Sequence, residues 1–202
     1  YTLYIANKNY SSWSLRPWVL MRELVIPFEE KTFPFEANVG EKVFKAFSLT
    51  GKVPCLRDRA HVVWDSLAIV EYLAEREGSV WPEDFVARAW ARSVCAEMHS
   101  GFAALRDQCT MHCGFRIRLH NVSCAFQQDI DRIDALGVKG YSVLEGLSAA
   151  SKFTAGDAFY APFAFRVQSY GLALSDQARA YASRLLALDS MRDWEAAALQ
   201  ET

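Results

Sequence analysis

Apolar positions recur along this chain with two different periods, and the period changes once, near residue 80. Thr2–Ala6 is a short apolar run bounded by Asn7-Lys8-Asn9, which predicts a strand and then a loop. Ser14–Val25 predicts a helix, with Trp18, Met21 and Val25 on one stripe at i, i+3 and i+7. Pro17 falls in its first turn, where a missing N–H is harmless, and Ile26-Pro27 ends it. Phe28–Phe33 alternates as a second strand. Pro34–Gly51 is irregular, with a short helix over Glu41–Phe47. Two brief strands follow, Pro54–Arg57 and His61–Trp64, turned at Asp58-Arg59-Ala60. Ser66–Glu77 is an amphipathic helix carrying Leu67, Val70, Leu73 and Ala74 on one side.

The order β-α-β-(α)-β-β-α over residues 1–77 predicts a thioredoxin-like α/β N-terminal domain, a sheet with helices on both faces. Residues 78–84 form a linker rich in breakers, Gly78-Ser79-Val80-Trp81-Pro82 among them. Beyond it the strand period is lost. Phe85–Cys113, Ser123–Leu136, Thr154–Tyr170, Asp176–Leu188 and Met191–Leu199 predict helices, jointed at Gly137–Gly140 and Gly171–Ser175. Residues 85–202 therefore read as an all-α helical bundle. Thr154-Ala155-Gly156-Asp157, ahead of the apolar run Ala158–Ala164, has the form of a capping box.

Composition removes several classes of function. The 51% hydrophobic and 23% charged content suits a globular protein, and a net charge of -2 leaves no nucleic-acid footprint. No apolar run approaches the ~18 residues that cross a bilayer, and no secretory pattern opens the chain, so no membrane partner is expected. Five cysteines without framework spacing point to a reducing, cytoplasmic setting. Cys109, His112, Cys113 and His120 have a metal-like look, with both cysteines and His112 on one helical segment. A structural zinc site takes four ligands from two separated knuckles, so mixed core and surface positions are expected, and no metal.

Three short segments carry candidate chemistry. The bond between Val53 and Pro54 lies between a loop and a strand. In the cis form it turns the Val53 N–H and C=O outward, where an extended peptide can pair as an added strand; in the trans form it is a plain strand start. Asp65-Ser66 directly precedes an apolar helix. That is a cap, and also an anion site, with the Ser66 hydroxyl and amide for a carboxylate and Asp65 for the amino group of the same amino acid. Tyr10-Ser11-Ser12-Trp13-Ser14-Leu15-Arg16 offers hydroxyls before a helix. Without a Gly-x-Ser-x-Gly or an evident histidine partner, these serines are caps or donors to a thiolate, not hydrolase nucleophiles.

These segments together resemble the N-terminal domain of glutathione transferases, in particular bacterial serine-type members related to the zeta and tau classes. The helical second half fits too, so the resemblance covers nearly the whole chain. It implies a glutathione-binding domain, a helical domain that supplies the pocket for a small hydrophobic electrophile, and a cytoplasmic homodimer active in detoxification. Glutathione is then a co-substrate, and no metal is implied. Carried over residue by residue, the activating hydroxyl falls on Ser11, with Ser12 as the alternative. Val53, before Pro54, pairs with the cysteinyl backbone, Asp65 and Ser66 hold the γ-glutamyl end, and Lys52 stands near the glycyl carboxylate.

The second-substrate pocket falls on Met98, His99, Phe102 and Arg106, although the spacing of Met98, Phe102 and Leu105 favours core, and Arg106 suits either an anionic substrate or a carboxylate of the bundle. The capping box resembles a helix start that serves folding in the family. The family's glycine lies just ahead of it, whereas here Gly146 is eight residues away. Other departures shape the alternatives. Trp13 stands where zeta-type isomerases carry cysteine, and Lys52 where they carry glutamine, so glutathione-dependent cis–trans isomerisation of the maleylacetoacetate type is the second reading. No cysteine precedes Cys55, against thiol exchange. A non-catalytic binding protein on the same fold is the third.

Overall fold

Leu3 and Ile5 are fully buried on one face of the first strand, and Tyr4 between them is buried on the other. That strand, β1 (Thr2–Ile5), is an inner strand of the sheet. The computed structural model describes residues 1–35, 40–145 and 153–201. In it β1 is flanked by parallel β2 (Glu29–Thr32) and antiparallel β3 (Cys55–Asp58), and β3 pairs antiparallel with β4 (His61–Trp64). The sheet order is β2-β1-β3-β4. β2 is an edge, exposed along its length and charged at Glu29, Glu30 and Lys31, which discourages pairing with another chain.

Helices cover both faces, as a thioredoxin-like domain requires. On one face lie α1 (Ser12–Glu23) and α3 (Ser66–Ala74). On the other, Phe44 of α2 (Gly40–Lys45) and nearby Phe47 form a small satellite core with Tyr4, Ala6 and Cys55, where the Tyr4 and Phe47 rings stack at 4.5 Å. The helical half follows: α4 (Phe85–Ser100), α5 (Ala103–Gln108), α6 (Cys124–Glu145), α7 (Ala155–Tyr170), α8 (Asp176–Leu186) and α9 (Asp189–Ala198). One continuous apolar core joins the α1 and α3 face to these helices, with α7 buried nearly all round. The fold is therefore a thioredoxin-like α/β layer joined to an all-α bundle.

Several expectations are corrected. α1 begins at Ser12, which puts Pro17 in its second turn, where it gives the Trp13 carbonyl no i+4 donor. α1 stops at Glu23, so Val25 leaves the stripe, takes φ +54° and is 85% exposed. Phe85–Cys113 is two helices, broken where Phe102 adopts φ +61°, and the chain from Cys109 to Ser123 is not helical. Cys109, His112 and Cys113 therefore share no helix. Gly137–Gly140 is no joint, because α6 runs straight through it. A Cβ at Gly137 would sit 3.4 Å from the Ala178 Cβ, so this glycine lets α6 approach α8.

Among the described residues no group of three or more His, Cys, Asp or Glu is placed to hold a metal, and no helix is long and apolar enough to cross a membrane. The capping box is anchored by Asp157, 4% exposed, whose carboxylate accepts from Thr154 N–H at 3.0 Å, Tyr181 O–H at 3.2 Å and Arg184 Nη2 at 2.7 Å. Gly146 and the stretch leading to this cap lie outside the described residues.

Candidate active site

Ser11 is the N-cap of α1: its carbonyl accepts from Leu15 N–H, and its own N–H donates to Asn7 O at 2.9 Å. Its hydroxyl does no capping and instead donates to Ser14 Oγ at 2.7 Å, while Ala6 N–H donates to Ser14 Oγ at 3.4 Å. Ser11 is 4% and Ser14 0% exposed. The Ser12 hydroxyl, one residue into the helix, makes no hydrogen bond among the described residues. The loop before Ser11 is tied down from the far end of the chain. Trp194 Nε1 donates to Lys8 O at 2.8 Å, and Glu201 accepts from the Lys8 and Asn9 N–H groups at 2.6 and 3.0 Å. Asn9 Oδ1 accepts in turn from Cys113 N–H at 3.0 Å.

The Val53–Pro54 bond is cis, and Pro54 is buried where β3 begins. The Val53 backbone has no hydrogen-bond partner among the described residues. Lys52 beside it is exposed. A few residues on, Asp65 takes φ 74°, ψ 138°, a region that costs a non-glycine residue about 1–3 kcal/mol. Its Oδ1 accepts from Leu67 N–H at 2.8 Å, so Asp65 and not Ser66 caps α3. This leaves the Ser66 amide, first of the helix, free for an anion.

Behind Ser66 stands Arg16, 1% exposed, whose Nη1 donates to Ser66 Oγ at 3.4 Å and Nη2 to Met98 O at 3.3 Å. Its Nε is buried with no partner. Its guanidinium carbon lies 4.2 Å from the Trp13 ring centre and 4.7 Å from that of Phe159. Burial, reinforced by Arg106 and Arg166, pushes the Arg16 pKa down to about 9. Trp13 meets the His99 ring edge-on at 5.1 Å. His99 Nε2 faces Asp65 Oδ2 at 3.4 Å, and its Nδ1 is buried without a partner. Burial outweighs the Asp65 charge, so the His99 pKa is lowered and the ring is neutral near pH 7. Arg106, half-buried, donates from Nε to Gly101 O at 3.1 Å and from Nη2 to Met98 O. α1, α3, α4 and α5 thus bring Arg16, Trp13, Ser66, Asp65, His99 and Arg106 into one cluster.

Residues 10–76 match the family described as glutathione S-transferase, N-terminal domain. This match lies within the N-terminal α/β layer of the chain. Its fold is similar over 100% of its length to a glutathione transferase homolog from Burkholderia solved with bound glutathione (TM-score 0.71, 22% identity, 98% of that chain). A theta class glutathione S-transferase from Xanthomonas axonopodis pv. citri, also with glutathione bound, matches at TM-score 0.67 and 20% identity, covering 95% of each chain. In sequence, a probable maleylacetoacetate isomerase from Caenorhabditis elegans is 29% identical over 107 residues, 52% of this chain and 49% of that protein. The chain thus spans about half the length of the curated relative it matches.

In this chain, Ser11, Ser12, Asp65 and Ser66 lie at helix starts, and Val53 and Pro54 at the entry to β3. Met98 and Phe102, 4% and 6% exposed, pack in the core, and Met98 meets Arg16 through its carbonyl. His99 and Arg106 both reach Trp13 with their side chains. Sequence reasoning missed Ser14, Trp13 and Arg16. The signal for Arg16 was its place five residues after Ser11 on the helix that Ser11 caps.

Proposed function

We propose that this chain is a glutathione S-transferase in which Ser11 activates the glutathione thiol. The observation that carries the reading is the free start of α3, where the Ser66 hydroxyl and amide are spared from capping, Arg16 backs them and Asp65 stands alongside. That arrangement suits the γ-glutamyl carboxylate and ammonium. The cysteinyl backbone pairs with Val53, and Lys52 meets the glycyl carboxylate. Glutathione bound in the Burkholderia and Xanthomonas structures supports the same ligand here.

A thiol of pKa ~8.5 is only about 3% thiolate at pH 7. A drop of about two pKa units makes it roughly three quarters thiolate and takes about 2.7 kcal/mol. One hydroxyl donor to a charged acceptor supplies ~1.5–3 kcal/mol, and the positive end of α1 adds ~0.3–1 kcal/mol. Ser11 must then turn its hydrogen to sulfur, while Ser14, held by Ala6 N–H, donates to Ser11 in its place. The thiolate sulfur bonds to the electrophilic carbon, whose leaving group departs with the bonding pair.

Isothermal calorimetry with glutathione, followed by a chlorodinitrobenzene assay on wild type and Ser11→Ala, tests this. No binding at millimolar glutathione would leave only a non-catalytic relative. Glutathione-dependent isomerisation is the second reading, favoured by the C. elegans relative and weakened by Trp13 and Lys52. A maleyl-type diketo acid tests it. Homodimerisation, testable by light scattering, and a cytoplasmic location, in keeping with five free cysteines, complete the proposal.

A further inference from the structure

Arg16, Arg106 and Arg166 lie within one another's fields, and among the described residues none has a carboxylate within salt-bridge distance. Arg166, 5% exposed, spends its Nε on Cys109 O. Arg16 faces Ser66. Arg106 is the most open of the three, with its guanidinium carbon 5.0 Å from the Trp13 ring centre. Its bonds to Met98 O and Gly101 O cap the end of α4, as a cation there should. Those bonds use about two of the five N–H donors of a guanidinium.

Asp129 is the carboxylate whose charge acts on Arg106, from beyond salt-bridge distance. Asp129 Oδ2 accepts from Leu105 N–H at 3.0 Å, and Asp65 holds Leu67 N–H and faces His99. His99, neutral and with Nδ1 unpartnered, adds no negative charge. Three clustered arginines against Asp129 and Asp65 leave the region net positive, and an anion of matching geometry offsets the cost of burying them. A neutral hydrophobic electrophile would leave it in place.

We propose that the second substrate is an anionic electrophile, a small molecule carrying a carboxylate that Arg106 receives beside Trp13, while Arg16 serves the glutathione side. This rests on the transferase reading above and names its substrate class. The planar guanidinium fork suits a carboxylate. The carboxylate takes no part in bond exchange: sulfur bonds to the electrophilic carbon, and the leaving group departs with its electron pair.

The test compares chlorodinitrobenzoate with chlorodinitrobenzene, which share a leaving group and differ by the carboxylate. Each kcat/KM is divided by the uncatalysed rate with glutathione. The wild type should favour the acid about 10-fold or more, Arg106→Gln should lose about 10-fold of that preference, and Arg106→Lys should recover part of it. Thermal melts check that both variants fold. A preference untouched in Arg106→Gln overturns the inference and leaves Arg106 a helix cap. A loss confined to glutathione affinity, read by calorimetry, also overturns it, because the anion is then glutathione's own. If wild type conjugates neither compound, the transferase reading falls. Dinitrobenzoate quenching of tryptophan fluorescence in wild type but not in Arg106→Gln would still support the anion site, and equal quenching would reject it.

Discussion

Ser11 gives its hydroxyl hydrogen to Ser14 across 2.7 Å, and both side chains are buried at the first turn of α1. If that bond reverses, Ser14 becomes a donor behind Ser11 and sharpens what Ser11 can offer to a charged acceptor. Ser12 has no such support among the described residues.

Ser11→Ala should lower kcat/KM for conjugation by about 10- to 100-fold, matching one charge-assisted hydrogen bond, and raise the pKa of bound glutathione by one to two units or so. Ser14→Ala should cost about 2- to 10-fold by the same route, and Ser12→Ala less than either. The pH dependence of thiolate absorbance on the enzyme reads the pKa directly. Full activity in Ser11→Ala together with an inactive Ser12→Ala would move the role to Ser12.

Arg16 is buried without a counter-ion. Arg16→Met keeps its length and removes the charge, so the free protein should hold its stability to within about 1 kcal/mol. Glutathione should bind about 10-fold or more weakly. Urea midpoints with and without glutathione separate the two effects. A large loss of stability in the free variant would mark Arg16 as structural.

Asp65→Asn retains an oxygen for Leu67 N–H and loses the charge beside the proposed ammonium site. The expected result is a rise in the glutathione KM of about 10-fold, with the melting temperature nearly unchanged. An unaltered KM would remove Asp65 from the binding machinery.

His99 carries a pH signature. Burial holds its pKa below the ordinary 6.5, so the unfolded chain binds the proton more readily than the folded one. Its stabilising contribution is therefore complete above that ordinary value and declines as pH falls through it toward the folded value. His112 is lowered by burial as well and acts in the same direction. His99→Gln should flatten the fall in urea midpoint between about pH 7.5 and pH 5. His112→Gln, measured in parallel, apportions the remainder. A slope unchanged in His99→Gln would contradict this assignment.

Asp157 joins the Thr154 amide, Tyr181 and Arg184 below the α7 start. Asp157→Ala removes the acceptor shared by the Thr154 amide and Tyr181 and should cost about 1–3 kcal/mol of stability. Activity per folded molecule should be retained, as denaturant curves alongside kcat would reveal.

Much of this architecture is legible from local pattern. The β4 strand is read at its full extent, because His61–Trp64 sits between a turn and a cap. The helix starts at Asp65 and Thr154 announce themselves through side chains that satisfy nearby amides. Breaks set by distant contacts are not legible. At Gly101, a Cβ would stand 2.9 Å from Glu97 O, and Phe102 beside it turns to φ +61°. Gly137 looks like a hinge and is a packing notch against Ala178. The same division holds at the candidate site. Ser11, Asp65 and Ser66 stand out because each begins a helix. Arg16 is marked in sequence only by its place on the helix that Ser11 caps, because its setting is assembled from Ser66, Met98 and Phe159 on three other helices.

Glu201 and Trp194 grip the backbone of Lys8 and Asn9 from nearly two hundred residues away. The turn that leads into Ser11 therefore owes part of its shape to this distant grip. Clipping the last few residues should slacken the Ser11 turn while sparing the sheet, so that a protein trimmed there would still look folded and yet hold the Ser11 hydroxyl out of line.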